Sequence, residues 1–359
     1  MSTRLRDAFA RQGIVTRQLG SPFMARLMPL IGARLTEATT VGARCLAWPG
    51  DVSAAGQSVP LRLAGALHGL VLDRTDPGLL AAYPPHDVSD AVLWEAVNAA
   101  LITHEARIMA WLDRPPQTNE VRRSAAILAG IWWALGQVGR LPVTLSELGA
   151  SAGLNLSMDR FALCADDAWH GPADSPVRLA PTWRGAAPPP PAPIHVTDRA
   201  GVDLTPLDPH NPTDQLRLLA YLWPDQTDRL TRTRAAMDLA RTRVEAGDAA
   251  PWLARRLARP WRGLHVVYST IAAQYFPEHT RTAVADTLNA TGARADAHTP
   301  LLHLAMEADD ASPGAGLMAT LWRGGPPTQH HLARVDFHGA WIDWRQEASP
   351  TPQFPLPQR

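Results

Sequence analysis

The chain has 359 residues, of which 46% are hydrophobic and 19% charged, a balance typical of globular and not of disordered proteins. Its 34 basic and 34 acidic side chains cancel, which argues against a broad surface for nucleic acid or for an anionic membrane. The two cysteines, Cys45 and Cys164, lie far apart, and the N-terminus lacks an apolar signal segment. These features predict a soluble, cytoplasmic protein that needs no disulfide framework.

The first 140 residues have helical periodicity. Apolar residues recur at helical spacing from Leu5 onward, and a long apolar segment spans 88–112 before a Pro-Pro pair. Thr118 or Asn119 is the predicted N-cap of a further, almost wholly apolar helix. Residues 1–140 are therefore predicted to form an all-helical N-terminal region. Shorter helical segments are predicted at 23–35, 63–72 and 79–83.

From residue 141 onward, short apolar runs that end in turns alternate with helical segments. This alternation predicts an α/β domain over 141–350, with a Rossmann-like, mostly parallel sheet and closing antiparallel strands. Residues 164–195 are predicted to be an insertion, with a hairpin at 177–183 and a proline-rich linker at its end. The predicted strands are 142–148, 194–204, 244–246, 264–269, 301–306, 317–323, 332–337 and 340–344, and helices are predicted to open at Gly153 and at 212–223, 225–243 and 249–258.

The turn LSELGASAGLNL, residues 145–156, has two interpretations. Gly149 to Gly153 spells G-x-S-x-G, the nucleophile elbow of serine hydrolases, in which Ser151 would attack an ester. Asp248 or Asp309 would then be the acid. The base would be one of His330, His331 and His338, but with 13 histidines in the chain a downstream histidine carries little information. No upstream His-Gly-Gly supplies an oxyanion hole, so a hydrolase is the weaker interpretation.

The stronger interpretation is a cofactor turn at the carboxyl edge of the sheet, where open α/β sheets bind ligands. Glycines after the first strand allow a ligand to approach the backbone, and an acid at the end of the second strand, here Asp203, is placed to bind ribose hydroxyls. The Gly-Asp-Ala at 247–249 follows the third strand and could meet an adenine amino group. The predicted cofactor-binding residues are Glu147, Gly149, Ser151, Gly153, Asn155, Asp203, Asp248 and Ala249.

Further polar residues at the same edge are predicted to contact a small-molecule substrate. The competing interpretation for these residues is that they cap a helix and form internal hydrogen bonds. For Asp203 and Asp248, the competing interpretation is helix capping alone. For Glu147, the alternative to cofactor binding is an internal salt bridge to Arg123 or Arg160. No histidine or cysteine spacing indicates a metal site. The predicted substrate-binding residues are Gln117, Asn119, Glu120, Arg123, Tyr268 and Ser269.

An acid two residues before the first glycine, with the next firm glycine four residues on, is similar to the first motif of class I S-adenosylmethionine-dependent methyltransferases. That resemblance implies that Glu147 lies near the methionine end of the cofactor and that Asp203 holds its ribose. The chain departs from the pattern in two ways. Ser151 stands at the usual central glycine, and the insertion places Asp203 much further along than in a compact unit.

Four motifs together resemble a bacterial family, the domain-of-unknown-function family 2332 (DUF2332). They are QTNE at 117–120 with Arg123, SELGASAGLNL at 146–156, DRAGVDLTPLD at 198–208 and LWPDQTDRL at 222–230. The family name brings no activity. Our first hypothesis is therefore an S-adenosylmethionine-binding protein that methylates a small molecule, and our second is a non-catalytic or regulatory nucleotide-binding module. A serine hydrolase using Ser151 is the third.

Overall fold

A computed structural model describes residues 3–345 of the chain. The chain forms two compact units: Met1–Thr118 with Asn211–Thr233, hereafter the helical unit, and Asn119–His210 with Arg234–Arg359, the sheet unit. The predicted domain boundary at residue 140 stays a prediction. The last residues of the predicted α/β domain, 346–350, lie outside the described residues. Within the described range, none of the helices combines the length and the apolar character that crossing a bilayer requires.

The helical unit has an apolar core to which nearly all of its helices contribute. Phe9, Leu27 and Leu67, from three different helices, are each fully buried in it. The helices are α1 (Thr3–Gln18), α2 (Pro22–Arg34), α3 (Thr40–Leu46), α4 (Val59–Leu72), α5 (Pro77–Ala82), α6 (Asp90–Thr103), α7 (Glu105–Leu112) and α9 (Pro212–Ala220), while α10 (Thr227–Leu239) begins in this unit and ends in the sheet unit.

One helix prediction for this unit was wrong, and one helix was missed. Residues 88–112 form two helices, α6 and α7, because the backbone breaks at His104, whose Nε2 lies 3.1 Å from Asp76 Oδ2. The short helix α3 was not predicted, although Thr39 caps it by accepting a hydrogen bond from the Gly42 amide at 3.0 Å.

The sheet unit contains a nine-stranded sheet in the order β5-β12-β11-β10-β9-β8-β1-β6-β7. The strands from β9 to β7 run parallel to one another, whereas β10, β11 and β12 continue from β9 as an antiparallel meander, and β5 is parallel to β12. The predicted α/β class, with a large, mostly parallel mixed sheet and an N-terminal helical region, is confirmed. The strands are β1 (Val143–Leu148), β5 (Thr182–Gly185), β6 (Val196–Asp203), β7 (Glu245–Ala246), β8 (Leu264–Thr270), β9 (Leu301–Glu307), β10 (Ala315–Trp322), β11 (Thr328–Val335) and β12 (Trp341–Trp344).

The order in which the parallel strands are added to the sheet reverses at β1. From β1 the chain proceeds to β6 and β7 on one side, and then to β8 and β9 on the other. The carboxyl ends of β1 and β8 therefore flank a topological switch point, the position at which open α/β sheets bind ligands. The register pairs Glu147 with Tyr268 at this position.

The local structure of the sheet unit corrects four expectations. Glu120, and neither Thr118 nor Asn119, caps the short 3-10 helix (Val121–Arg123) that precedes α8 (Ser124–Val138). The helix that follows Gly153 is a 3-10 helix, Leu154–Arg160. Helix α12 (Glu278–Gly292) was not predicted, whereas α11 (Ala249–Leu257) agrees with its prediction.

The predicted hairpin at 177–183 is the fourth correction, because its two halves belong to different sheets. β4 (Arg178–Leu179) joins β2 (Ala162–Ala165) and β3 (Ala168–His170) in a small three-stranded sheet, while β5 joins the large sheet beside β12. The insertion thus contributes to both sheets. Its strands are too short, and their pairing too distant in sequence, to be read from local periodicity.

Candidate functional site

The turn between β1 and the following 3-10 helix is held by backbone hydrogen bonds to the end of β6. The amides of Gly149 and Ala150 donate to Val202 O at 2.9 and 3.0 Å, and the Gly153 amide donates to Ala150 O at 2.7 Å. Gly149, Ser151 and Gly153 all have left-handed backbone conformations, with φ of 73°, 52° and 71°. Glycine suits such conformations, and serine tolerates them less well.

Both glycines are also required by their neighbours. A Cβ on Gly149 would lie 2.5 Å from Ala272 Cβ, and a Cβ on Gly153 would lie 2.8 Å from Val244 Cγ2. The loop that follows β8 and the segment that precedes β7 therefore pack directly on the turn. Close approach of a ligand to these glycines stays a prediction.

Asp203, at the end of β6, faces the turn. Its Oδ2 accepts a hydrogen bond from the Ser151 amide at 2.8 Å, and its Oδ1 accepts one from the Thr205 amide at 2.9 Å. Its carbonyl oxygen accepts the Gly247 amide at 2.9 Å. The ends of β1, β6 and β7, which the sequence predicted to meet at one edge, are thus joined through this residue.

Glu147 is a buried carboxyl group at the centre of the site. Only 1% of its surface is exposed, and Tyr268 Oη donates to its Oε2 at 3.2 Å. Burial raises the pKa of Glu147 to about 8, although hydrogen bonds from Tyr268 and Asn155 act in the opposite direction; the nearby Asp203 raises this pKa further and Arg123 lowers it. The carboxyl group is therefore mostly protonated at neutral pH. Its partners are a tyrosine and an asparagine, and the alternative partner Arg160 bonds to Leu239 O.

The polar residues before α8 also converge on the turn. Asn119 Oδ1 accepts the Leu154 amide at 3.0 Å, Ser124 Oγ donates to Asn155 Oδ1 at 2.8 Å, and Asn155 Nδ2 donates to Glu120 O at 3.4 Å. Asn119, Glu120 and Asn155 therefore belong to one buried network with Glu147. Sequence reasoning named these three, but it missed Ser124 because a serine at a helix start has an ordinary capping role.

Arg123 extends the network to the end of β8 and to the turn between β11 and β12. Its Nη1 donates to Thr270 O at 3.2 Å and its Nε to Phe337 O at 2.9 Å. The remaining predicted substrate residue of this stretch, Gln117, lies in the helical unit.

Ser269 takes part in a different cluster, around Glu307 at the end of β9. Ser269 Oγ donates to Glu307 Oε1 at 2.7 Å, and the amides of Ala272 and Ala273 donate to the same carboxylate at 3.0 and 3.1 Å. Burial raises the pKa of Glu307, and these bonds act against it. They hold the loop after β8, in which Ile271 has a left-handed φ of 51°. Sequence reasoning missed Glu307, whose signal is an acid that ends a buried apolar strand.

Asp248 caps α11, as the alternative interpretation allowed. Its Oδ1 accepts the Ala250 amide at 2.8 Å, and its Oδ2 accepts Thr280 Oγ1 at 2.9 Å. Ala249 is the first residue of the helix and is buried. The structure thus places both residues next to Gly247, which bonds to Asp203, and gives Asp248 a structural role there.

The geometry around Ser151 is not that of an activated nucleophile. Ser151 is 4% exposed, and its Oγ has no hydrogen-bond partner within residues 3–345, so no bond to a general base is formed. The candidate acid Asp309 instead pairs with Arg334 at 2.6 Å. In the same part of the chain there is no group of three or more potential metal ligands.

Comparison with known proteins gives one match. The family model described as "Uncharacterized protein conserved in bacteria (DUF2332)" matches residues 6–344. Neither the curated proteins nor the solved structures gave a match to the chain.

Proposed function

The chain belongs to the DUF2332 family, whose description assigns no chemistry, so from the site itself we propose that the sheet unit binds S-adenosylmethionine at the turn after β1 and methylates a small molecule. In this proposal the sheet is of the Rossmann-like methyltransferase type. The order of its parallel strands and the switch point beside Glu147 support that assignment.

The observation that carries the proposal is the use of the turn's amide groups. Successive amides of the turn already donate inside the protein: Gly149 and Ala150 to Val202 O, Ser151 to Asp203 and Gly153 to Ala150 O. A phosphate-binding turn needs such amides directed at the ligand. The arrangement therefore disfavours a dinucleotide and favours an adenosyl ligand without phosphate, which S-adenosylmethionine is.

The side chains around the turn fit that ligand. The buried Ser151 Oγ lacks a partner among the described residues, which costs about 1–3 kcal/mol unless a ligand group accepts its proton. We assign it to the ligand carboxylate. Asp203, at the end of β6, is assigned to the ribose hydroxyls, which would share its carboxylate with the amides of Ser151 and Thr205. Glu147 is assigned to the ligand ammonium, whose positive charge would lower the pKa of this buried carboxyl group and favour its ionised form. Asp248 and Ala249 are assigned to the adenine.

Methyl transfer depends mainly on alignment and on exclusion of water. S-adenosylmethionine, when bound, supplies an electrophilic methyl group. The chain supplies a rigid, dry edge, because Glu147, Asn155 and Tyr268 are each almost fully buried. Asn119, Glu120 and Arg123 position the turn and the strand ends through the bonds described above. Their contact with the acceptor, and that of Gln117 and Ser269, stays a prediction.

The same internal bonds also favour a second candidate, a regulatory module that binds the adenosyl ligand without chemistry. Every polar residue predicted to contact substrate in the sheet unit already has a partner in the fold. Such a module would bind S-adenosylmethionine and leave its methyl group in place. It would transfer no labelled methyl group to a metabolite extract, whereas the methyltransferase would.

Calorimetry and thermal shift with S-adenosylmethionine, S-adenosylhomocysteine and NAD test the proposal. We expect binding of both adenosyl compounds and not of NAD, and an affinity loss of about tenfold or more in Asp203→Ala. Asp174→Ala, which changes an exposed aspartate of the same unit, is the matched control. A folded sample that binds neither adenosyl compound would refute the proposal. Fluorophosphonate labelling that is lost in Ser151→Ala would replace it with the hydrolase.

A further inference from the structure

A cavity of about 500 Å³ lies in the sheet unit, apart from the turn after β1. Its walls come from α8, the 3-10 helix Leu154–Arg160, the small three-stranded sheet and the proline-rich linker before β6. Most of the described lining side chains are apolar, and several are aromatic, among them Trp132, Phe161 and Trp169. Pockets of about 300–1,000 Å³ with this lining are typical of small-molecule sites.

The cavity lies at the opposite edge of the sheet from the proposed cofactor site. Ile194, which lines it, precedes the first residue of β6 by two positions, whereas Asp203 is the last residue of that strand. An eight-residue strand is roughly 25 Å long. The cavity therefore extends to the amino edge, and its described lining includes none of the turn residues 149–153.

The aromatic walls are held in place without a ligand. Trp132 is 4% exposed and Phe161 is 2% exposed. Trp169 is 45% exposed, yet the guanidinium of Arg178 stacks on its ring, with Cζ 3.9 Å from the ring centroid. The rings of Trp132 and His170 meet edge to face at 5.7 Å. A preformed site of this kind loses little side-chain entropy when a ligand binds.

The polar groups of the lining define the chemistry of the ligand. Asp159 is the acidic side chain among the described lining residues, and Arg199 pairs with it through hydrogen bonds of 2.6 and 2.9 Å. His170 Nε2 lies 3.3 Å from Ala165 O, to which it donates, so in the neutral form of the imidazole Nδ1 is the acceptor. The lining thus offers aromatic surface and a hydrogen-bond acceptor, with no unbalanced fixed charge for an ionised ligand.

We propose that this cavity binds a neutral, planar aromatic molecule that carries an N–H or O–H donor, of the indole or phenol type. Its ring packs on Trp132, Phe161 and Trp169, and its donor bonds to His170 Nδ1. The insertion at 164–195, which the proposed methyl transfer does not use, supplies most of this site. The proposal does not depend on the proposed function.

Indole and 1-methylindole are the probes, because they share a ring and differ in the donor. We expect indole to bind in calorimetry and in ligand-observed NMR, and 1-methylindole to bind about fivefold to tenfold more weakly. Ala192→Phe places a bulky side chain on the linker that lines the cavity, and we expect it to abolish binding of both. His170→Phe keeps a ring but removes the acceptor, so the two probes should then bind equally.

Trp169→Ala should weaken indole binding about tenfold, whereas Tyr275→Ala, which removes an exposed aromatic side chain at the other edge, should not. Asp203→Ala should leave indole binding unchanged, so failure of this proposal and failure of the proposed function are distinguishable. Indole that does not bind the folded protein, or that binds Ala192→Phe as well as the natural chain, would overturn the proposal. Preserved melting curves establish that each variant is folded.

Discussion

The two edges of the large sheet differ in how their side chains pack. At the carboxyl edge, buried polar groups around Glu147 and Asp203 bond to one another and to the backbone, and the turn has little freedom to change. At the amino edge, aromatic side chains line a cavity of about 500 Å³ between separate segments of the chain. The comparison teaches that backbone-constrained motifs are visible in the sequence, whereas a cavity arises when distant segments pack together.

The largest expected effect tests how tightly the carboxyl edge is packed. Gly149→Ala forces a left-handed residue and places a Cβ 2.5 Å from Ala272 Cβ, so we expect a loss of about 2–5 kcal/mol in the free energy of unfolding. Urea unfolding measures it. Gly136→Ala, in α8, is the matched control, because its added Cβ meets no atom within 4 Å. A loss no larger than that of the control would show that the loop after β8 does not rest on the turn.

The next effect concerns the pH dependence of stability. The pKa of Glu147 is about 8 in the folded chain and near 4.5 in the unfolded one. Between these values the unfolded chain releases a proton that the folded chain keeps. The free energy of unfolding therefore falls as pH rises from 4.5 to about 8, by at most about 1.4 kcal/mol per pH unit.

Glu147→Gln should flatten this part of the stability profile, and Glu245→Gln, an exposed glutamate of the same unit, should leave it unchanged. Urea titrations at a series of pH values from about 5 to about 8 provide the comparison. A profile that keeps its full slope in Glu147→Gln would mean that Glu147 is not the titrating group.

A smaller effect separates the two interpretations of Asp248. Asp248→Ala removes the cap of α11 and should cost about 0.5–2 kcal/mol, while Asp248→Asn should retain most of the stability. Calorimetric binding of S-adenosylmethionine to the Asn variant then reports on the adenine contact alone. Unchanged affinity in that variant would leave Asp248 with a capping role only.

The smallest loss of stability is expected at Ser151. Its buried hydroxyl has no partner within residues 3–345, so Ser151→Ala breaks no hydrogen bond and should lower the free energy of unfolding by less than about 1 kcal/mol or raise it. Ser175→Ala, which removes a buried hydroxyl that bonds to Arg160 O at 2.7 Å, should cost more. If Ser151→Ala is instead the more destabilising change, the hydroxyl already has a role in the free protein.

The main strands of the sheet could be predicted because each is a short apolar run ended by a polar residue or by glycine. Leu264–Thr270 is buried at every position, as a central parallel strand should be. The small strands of the insertion could not be predicted, since β5 pairs with β12 from the far end of the chain. Helix α12 escaped prediction because its sequence is mostly polar, with a narrow buried face.

For the candidate site, the sequence predicted which residues lie at the same edge of the sheet, but not their hydrogen-bond partners. Parallel strands end at a common edge, so the proximity of Glu147, Asp203 and Tyr268 followed from the order of the strands. The bond from Ser124 to Asn155 and the role of Glu307 depend on side-chain packing between elements, which periodicity does not encode. The predicted chemistry of these residues stays a prediction.

The two outermost strands of the large sheet are short: β7 has two residues and β5 has four. An exposed sheet edge is a template on which another chain can add a strand, and short edge strands reduce that risk. Because β5 belongs to the insertion, deleting 164–195 would uncover β12 along its whole length. The insertion is therefore a structural part of the large sheet. It forms one margin of the large sheet, and its removal would make the four-residue strand β12 the new edge, with the backbone groups that pair with β5 left unpaired.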